Sequence, residues 1–286
     1  MPFLLISEHY FSIIVKHDLM NSSVAYTKEA SLMEKALSIN QGGYSIRCTL
    51  HTNDPRKIRT VVLYGQGFGG SRNSAPVHRF AAKLLSKHKD AALLAFDWPC
   101  HGDDARKSLL LSECDAYLDQ VINYVQKRYQ PRQFWAMATS FGGYVFLRRL
   151  VRAGNPFQKL ALRCPAVNFP TLLERDVLSP LECQKLQAGK SVLWGYERKM
   201  KLTKEFWLEL RAGGVEELDF SPFAGELHIL HGSKDRVIPP EVTEQFALRN
   251  GIGYERIENA DHGFVDPQRL DLAIAAELAF FVAEPL

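Results

Sequence analysis

Short apolar runs alternate with amphipathic stretches along most of this chain, and the alternation predicts its elements. Met33–Ile39 and Tyr44–His51 read as a hairpin across the turn-rich Asn40-Gln-Gly-Gly43. Arg59–Tyr64 and Ala91–Phe96 are apolar runs bounded by glycine, proline or aspartate, the pattern of strands buried on both faces. A helix over Ala75–Lys87 lies between them. Ser112-Glu-Cys-Asp115 reads as a capping box opening a second helix, in which Leu118, Val121, Ile122 and Val125 keep helical spacing. Gln133–Ala138, Lys159–Cys164, Glu226–His231 and Tyr254–Glu258 are further strand candidates. Leu270–Val282 closes the chain as an apolar helix. Strands alternating with helices predict an α/β fold with a mainly parallel sheet covered on both faces.

One stretch breaks the rhythm. Residues 165–223, between the strands at Lys159–Cys164 and Glu226–His231, are far longer than a simple crossover needs. The stretch holds Trp194, Tyr196, Phe206 and Trp207 together with Glu197, Arg198, Lys199 and Lys201. It reads as a cap inserted over the C-terminal strand edge, where α/β sheets bind ligands. The charge run is expected on a solvated face, the alternative being attraction of acidic substrates.

Composition narrows the class. The 286 residues are 46% hydrophobic, enough for a large core without a disulfide or metal staple. A net charge of +3, with no aromatics interleaved in a basic stripe, gives no reason to expect nucleic acid. Cys48, Cys100, Cys114, Cys164 and Cys183 are dispersed and include no C-x-x-C pair. They read as reduced thiols of a cytoplasmic protein and argue against a structural zinc site. No run reaches the length of a membrane span, and no basic leader with a cleavage site opens the chain. The domain pattern begins near Met33, so residues 1–30 read as an N-terminal extension of unknown role, with Met20 a candidate alternative start.

The chemistry gathers around one serine. Ser140 sits in Ala138-Thr-Ser-Phe-Gly-Gly143, after one apolar run and before a helical one, Gly143–Arg152. Strand, sharp turn with serine at its apex, helix: this is the layout of a nucleophile elbow. Ala138 and Gly142 supply the small residues that let strand and helix backbones pass closely. A serine hydroxyl needs a base to take its proton and a third group to orient that base. Two later loops offer them at the same strand edge: His231-Gly-Ser-Lys-Asp235 and Asn259-Ala-Asp-His262. Ser140 is therefore the candidate nucleophile, His262 the base and Asp235 the orienting acid. Asp97 and Asp261 are rival acids; His101 and His231 read as loop-ordering residues. The glycine-rich loop Gly65-Gln-Gly-Phe-Gly-Gly70 points to Phe68 N–H as one oxyanion donor, with Phe141 N–H as the other. The same loop also matches a dinucleotide-binding G-x-G-x-x-G, with Asp97 as its acidic residue, but that reading leaves Ser140, Asp235 and His262 unexplained.

Five motifs in order resemble the α/β-hydrolase superfamily from about Met33 onward. Gln66-Gly-Phe-Gly-Gly-Ser71 is similar to its His-Gly-Phe-x-Gly loop, and Phe96-Asp-Trp-Pro-Cys-His-Gly-Asp103 to its Phe-Asp-x-x-Gly-His-Gly segment. Ala138–Gly143, Gly232–Asp235 and Ala260–Gly263 match the elbow, acid loop and histidine loop. Leu162–Val167 and the length of the insertion look most like small-cap esterases of the cinnamoyl/feruloyl-esterase and serine-aminopeptidase-like group. Three positions depart: Gln66 for the usual histidine, Cys100 for a glycine, and Ala138 for the first elbow glycine.

The resemblance implies an α/β-hydrolase domain over residues 31–286, acting as a serine hydrolase on small-molecule carboxylic esters, with no metal or organic cofactor. Thioesterase, peptidase and acyltransferase chemistry use the same triad, and a silent binding protein is the rival from another class. Gln66, Trp194 and Tyr196 are the candidate substrate-binding residues. A homodimer is left open.

Overall fold

The computed structural model describes residues 32–195 and 198–283. The expected N-terminal extension over residues 1–30, and Tyr196, lie outside the described residues.

Eight strands form the central sheet. They are β1 Met33–Gln41, β2 Tyr44–Thr52, β3 Thr60–Gly65, β4 Ala91–Phe96, β5 Gln133–Thr139, β6 Lys159–Arg163, β9 Leu227–Gly232 and β10 Gly253–Ile257. Their order is β1-β2-β4-β3-β5-β6-β9-β10. β1 pairs with β2, and β2 with β4, antiparallel; every other pair is parallel. The hairpin turns at Gly42 (φ 58°) and Gly43 (φ 79°), the left-handed pair that a two-residue hairpin loop requires.

β3 and β4 are buried at every position, as their unbroken apolar runs predict. Alternate residues feed opposite faces. Val61, Leu63, Ala136 and Ala138 join a core under α2 Leu111–Tyr129 and α3 Phe141–Ala153. Val62, Tyr64, Trp135 and Met137 join a second core under α1 Ala75–Lys87 and α8 Pro267–Val282. Among the described residues no helix is long and apolar enough to cross a membrane. The five cysteines are unpaired, and all but the half-buried Cys183 are buried.

Between β6 and β9 the chain forms α4 Phe169–Leu172, a π-turn Leu173–Val177, α5 Pro180–Gln187, a small hairpin of β7 Val192–Trp194 and β8 Met200–Leu202, α6 Lys204–Ala212, and a 3-10 turn Ser221–Glu226. α7 Pro240–Asn250 then links β9 to β10.

Two local readings change in three dimensions. Ser112 does not cap α2, which begins one residue earlier, at Leu111. Its N-terminus is closed instead by Glu209 of α6, whose carboxylate accepts from Leu111 N–H (2.7 Å), Ser112 N–H (3.2 Å) and Ser112 Oγ (2.5 Å). A carboxylate from the insertion fits the helix dipole better than a hydroxyl from within the first turn. Arg198, expected on a solvated face, reaches across to donate to the carbonyls of Gly102 (2.6 Å) and Arg106 (2.9 Å) and to that of Asp104. With the bridge between Ser108 and Lys201, it ties the insertion to the loop after β4.

Candidate active site

Ser140 lies between β5 and α3, capping the helix start, with φ 48° and ψ −117°, a conformation that a side chain disfavours. Tertiary contacts hold it there. Its N–H donates to the Arg163 carbonyl (3.0 Å), and its own carbonyl accepts from Tyr144 N–H (3.2 Å) and Ala166 N–H (3.1 Å). The bend is tight enough that a Cβ on Gly142 would lie 2.5 Å from the Gly65 carbonyl oxygen and 2.7 Å from that of Gln66. A Cβ on Gly143 would lie 2.8 Å from Pro165 Cβ. Those approaches are what the small residues after the serine permit.

The loops after β9 and β10 bring the other two candidates to the same edge. His262 Nε2 lies 3.0 Å from Ser140 Oγ, and His262 Nδ1 lies 2.7 Å from Asp235 Oδ2. The carboxylate can only accept, so Nδ1 carries the proton and Nε2 presents its lone pair to the hydroxyl. Asp235 is anchored at both oxygens. Oδ1 accepts from Val237 N–H (2.8 Å) and Ile238 N–H (2.9 Å). Oδ2 also faces His231 Nε2 at 2.9 Å.

Burial would push the Asp235 carboxyl upward, but the His262 charge and the hydrogen bonds from His231 and His262 outweigh it and hold the group well below the carboxylate range. For His262, burial opposes the imidazolium, yet the Asp235 carboxylate prevails and raises its pKa above the ordinary 6.5. Asp97 and Asp261 are committed elsewhere. Asp97 pairs with Arg72 and accepts from Arg72 N–H (2.8 Å) and Asp103 N–H (3.0 Å). Asp261 Oδ1 accepts from Val265 N–H (3.0 Å).

The glycine-rich loop runs beside the serine: a Cβ on Gly67 would come within 3.2 Å of Ser140 Cβ. Phe68 follows it, and Phe141 opens α3. Neither backbone N–H donates to another backbone group among the described residues. The Phe68 ring packs edge-on to Phe141 at 5.2 Å and to Trp194 at 4.7 Å, and lies 6.2 Å from Phe169. Phe68 and Trp194 stay half-exposed, so the insertion and the loop share an aromatic wall beside Ser140. His101 stacks flat on Phe141 at 5.9 Å, and burial lowers its pKa to about 4, leaving it a neutral aromatic plate. Gln66 acts here through its backbone, whose carbonyl accepts from Trp98 Nε1 at 2.8 Å. Its buried side-chain amide has no hydrogen-bond partner among the described residues.

Sequence reasoning missed two supports. His231 does more than order its loop: it bonds the acid itself, a role that its place four residues before Asp235 could have signalled. Arg163, a charge at the end of an apolar strand, is fully buried against Glu277 of α8 (Nε–Oε1 2.7 Å, Nη2–Oε2 2.5 Å). Its guanidinium also lies 5.3 Å from the Phe264 ring, two residues beyond His262. One residue thus holds the serine turn through its carbonyl and the histidine loop through its side chain.

Sheet, crossing helices and a serine turn at the C-terminal strand edge define a hydrolase-type α/β fold, and comparison with known proteins agrees. Residues 65–275, more than half of the chain, match the model of the alpha/beta hydrolase family. The chain belongs to that family. No curated protein sequence matches it significantly. Among solved structures it is similar to Est1E from Butyrivibrio proteoclasticus with ferulic acid bound, at 18% identity and TM-score 0.70 over 86% of this chain and 98% of that one. It is similar to the alpha/beta hydrolase domain-containing protein 10 from mouse, at 13% identity and TM-score 0.64 over 85% of this chain and 96% of that one. It is also similar to the Pyrococcus furiosus esterase Pf2001, at 15% identity and TM-score 0.62 over 90% of this chain and 96% of that one. At these identities the likeness concerns the fold.

Proposed function

We propose that this protein is a serine hydrolase that cleaves small-molecule carboxylic esters through an acyl-enzyme. The observation that carries the reading is the unbroken line Ser140 Oγ–His262 Nε2 (3.0 Å) and His262 Nδ1–Asp235 Oδ2 (2.7 Å). In this mechanism His262 Nε2 takes the hydroxyl proton as Ser140 Oγ attacks the ester carbonyl carbon. Asp235, held ionised, fixes the tautomer and stabilises the imidazolium. The N–H groups of Phe68 and Phe141 receive the carbonyl oxygen as it becomes an oxyanion, and the positive end of α3 adds to them. The tetrahedral intermediate collapses, and His262 returns the proton to the departing alcohol. Water then enters, loses a proton to the same nitrogen and releases the acid, restoring Ser140.

The insertion at residues 165–223 acts as the cap. The half-exposed Phe68 and Trp194 favour small or aryl acyl groups, which stack on such faces at little entropic cost. Ester hydrolysis accounts for the site with side chains and backbone alone. The decisive experiment pairs two measurements on the full chain. Ser140→Ala should abolish turnover of p-nitrophenyl esters while its thermal melt stays that of the parent. A fluorophosphonate probe should label the parent at Ser140. A variant with full activity, or a parent that takes no label, would refute the proposal.

A further inference from the structure

A second cluster of reactive side chains lies away from the triad, on the antiparallel edge of the sheet. Glu34 of β1, His51 of β2 and His78 of the first turns of α1 converge there. Glu34 Oε2 is 3.5 Å from His78 Nδ1 and 3.8 Å from His51 Nδ1, and the three ligand atoms all lie within 4.8 Å of one another. These separations are too long for hydrogen bonds. They are close to the roughly 3.3–3.5 Å between ligands that share a tetrahedral ion at bond lengths of about 2.0–2.2 Å. The two imidazole rings stand 5.2 Å apart and nearly perpendicular, at 85°.

His51 supplies the independent observation. Its side chain is fully buried, yet neither ring nitrogen has a hydrogen-bond partner among the described residues. A buried polar group left in that state is costly, and it calls for a ligand that the protein's own groups do not provide. Two imidazoles and one carboxylate suit a borderline divalent ion such as zinc. Glu34 and His78 are partly exposed, so water has access to a remaining coordination position.

We propose that Glu34, His51 and His78 form a binding site for a divalent transition-metal ion of the zinc type. The ion would join β1, β2 and α1, the helix that follows the glycine-rich loop beside Ser140. No spacing motif announces the site, because its three ligands come from three separate elements.

The test uses the full chain, freed of metal by a chelator, with Zn²⁺ and Co²⁺ as probes. Calorimetric titration should give one Zn²⁺ bound per chain, and Zn²⁺ should raise the melting temperature, since an ion that binds only the folded state stabilises it. Glu34→Gln and His78→Gln, chosen because both side chains reach the surface, should each weaken Zn²⁺ binding roughly tenfold or more and remove the thermal shift. The Co²⁺ adduct should show tetrahedral ligand-field bands without thiolate charge transfer. Absence of binding in the parent, or binding unchanged in both variants, would overturn the proposal. So would a thiolate band, which would put the ion at the buried group Cys164, His231 and Asp235 instead.

Discussion

Replacing Gly142 with alanine tests the geometric core of the proposed mechanism with a single methyl group. The new Cβ would start 2.5 Å from the Gly65 carbonyl oxygen, 2.7 Å from the Gln66 carbonyl oxygen and 2.8 Å from the Gly65 carbonyl carbon. All three are backbone atoms, so no side chain can swing aside. Reaching an ordinary contact requires the serine turn and the glycine-rich loop to part by about 0.5–0.9 Å. Phe68 N–H travels with that loop, so the separation between Ser140 and this proposed oxyanion donor changes by a similar amount. Misplacement on that scale costs on the order of 10- to 100-fold in rate, and overpacking costs about 1–3 kcal/mol of stability. The oxyanion contact strengthens as charge develops, so the loss should fall on kcat with KM little changed. Steady-state kinetics on p-nitrophenyl esters and a thermal melt read both effects. A variant with kcat within twofold of the parent and an unchanged melt would refute the claim that this approach sets the site.

Three further outcomes follow from the same geometry. The proposed mechanism needs neutral His262, whose pKa Asp235 raises, so kcat/KM should rise with pH through a midpoint above 6.5; a midpoint below 6.5 would contradict the pairing. Asp235→Asn should lower kcat by about 10⁴-fold and move that midpoint downward, because burial then acts on His262 without its counter-charge; a midpoint that stays in place speaks against the assignment. Breaking the buried ion pair with Glu277→Gln should cost about 3–5 kcal/mol in urea unfolding. The double change Arg163→Met with Glu277→Met should recover most of it, and a single variant as stable as the parent would show that the pair carries no strain when split.

The sheet was readable because strands buried on both faces leave unbroken apolar runs, and β3 and β4 lie within a residue of where those runs place them. The serine turn was readable because close backbone passage restricts residue 142 to glycine. What escaped was long-range and polar. Nothing near Ser112 announces that Glu209 closes its helix, since the partner lies 97 positions away. Arg163 and Glu277, 114 positions apart, each look like an exception to local pattern until they meet. Arg198 reads as a surface charge because the carbonyls that take it up carry no sequence signature. The dispersed cysteines argued against a structural zinc site, and the proposed cluster of two histidines and a glutamate leaves no spacing motif because its members lie on different elements.

Arg163 makes the candidate site depend on a helix remote from it in sequence. Its carbonyl accepts from the N–H of the serine turn, while its guanidinium is met by Glu277, 114 positions later. Without α8 the Arg163 guanidinium has no carboxylate partner and the second core loses one of its covering helices, so the serine turn and the histidine loop lose a shared support. A chain truncated before α8 is therefore expected to hold Ser140 and His262 less firmly, and should take a fluorophosphonate label more slowly than the full chain.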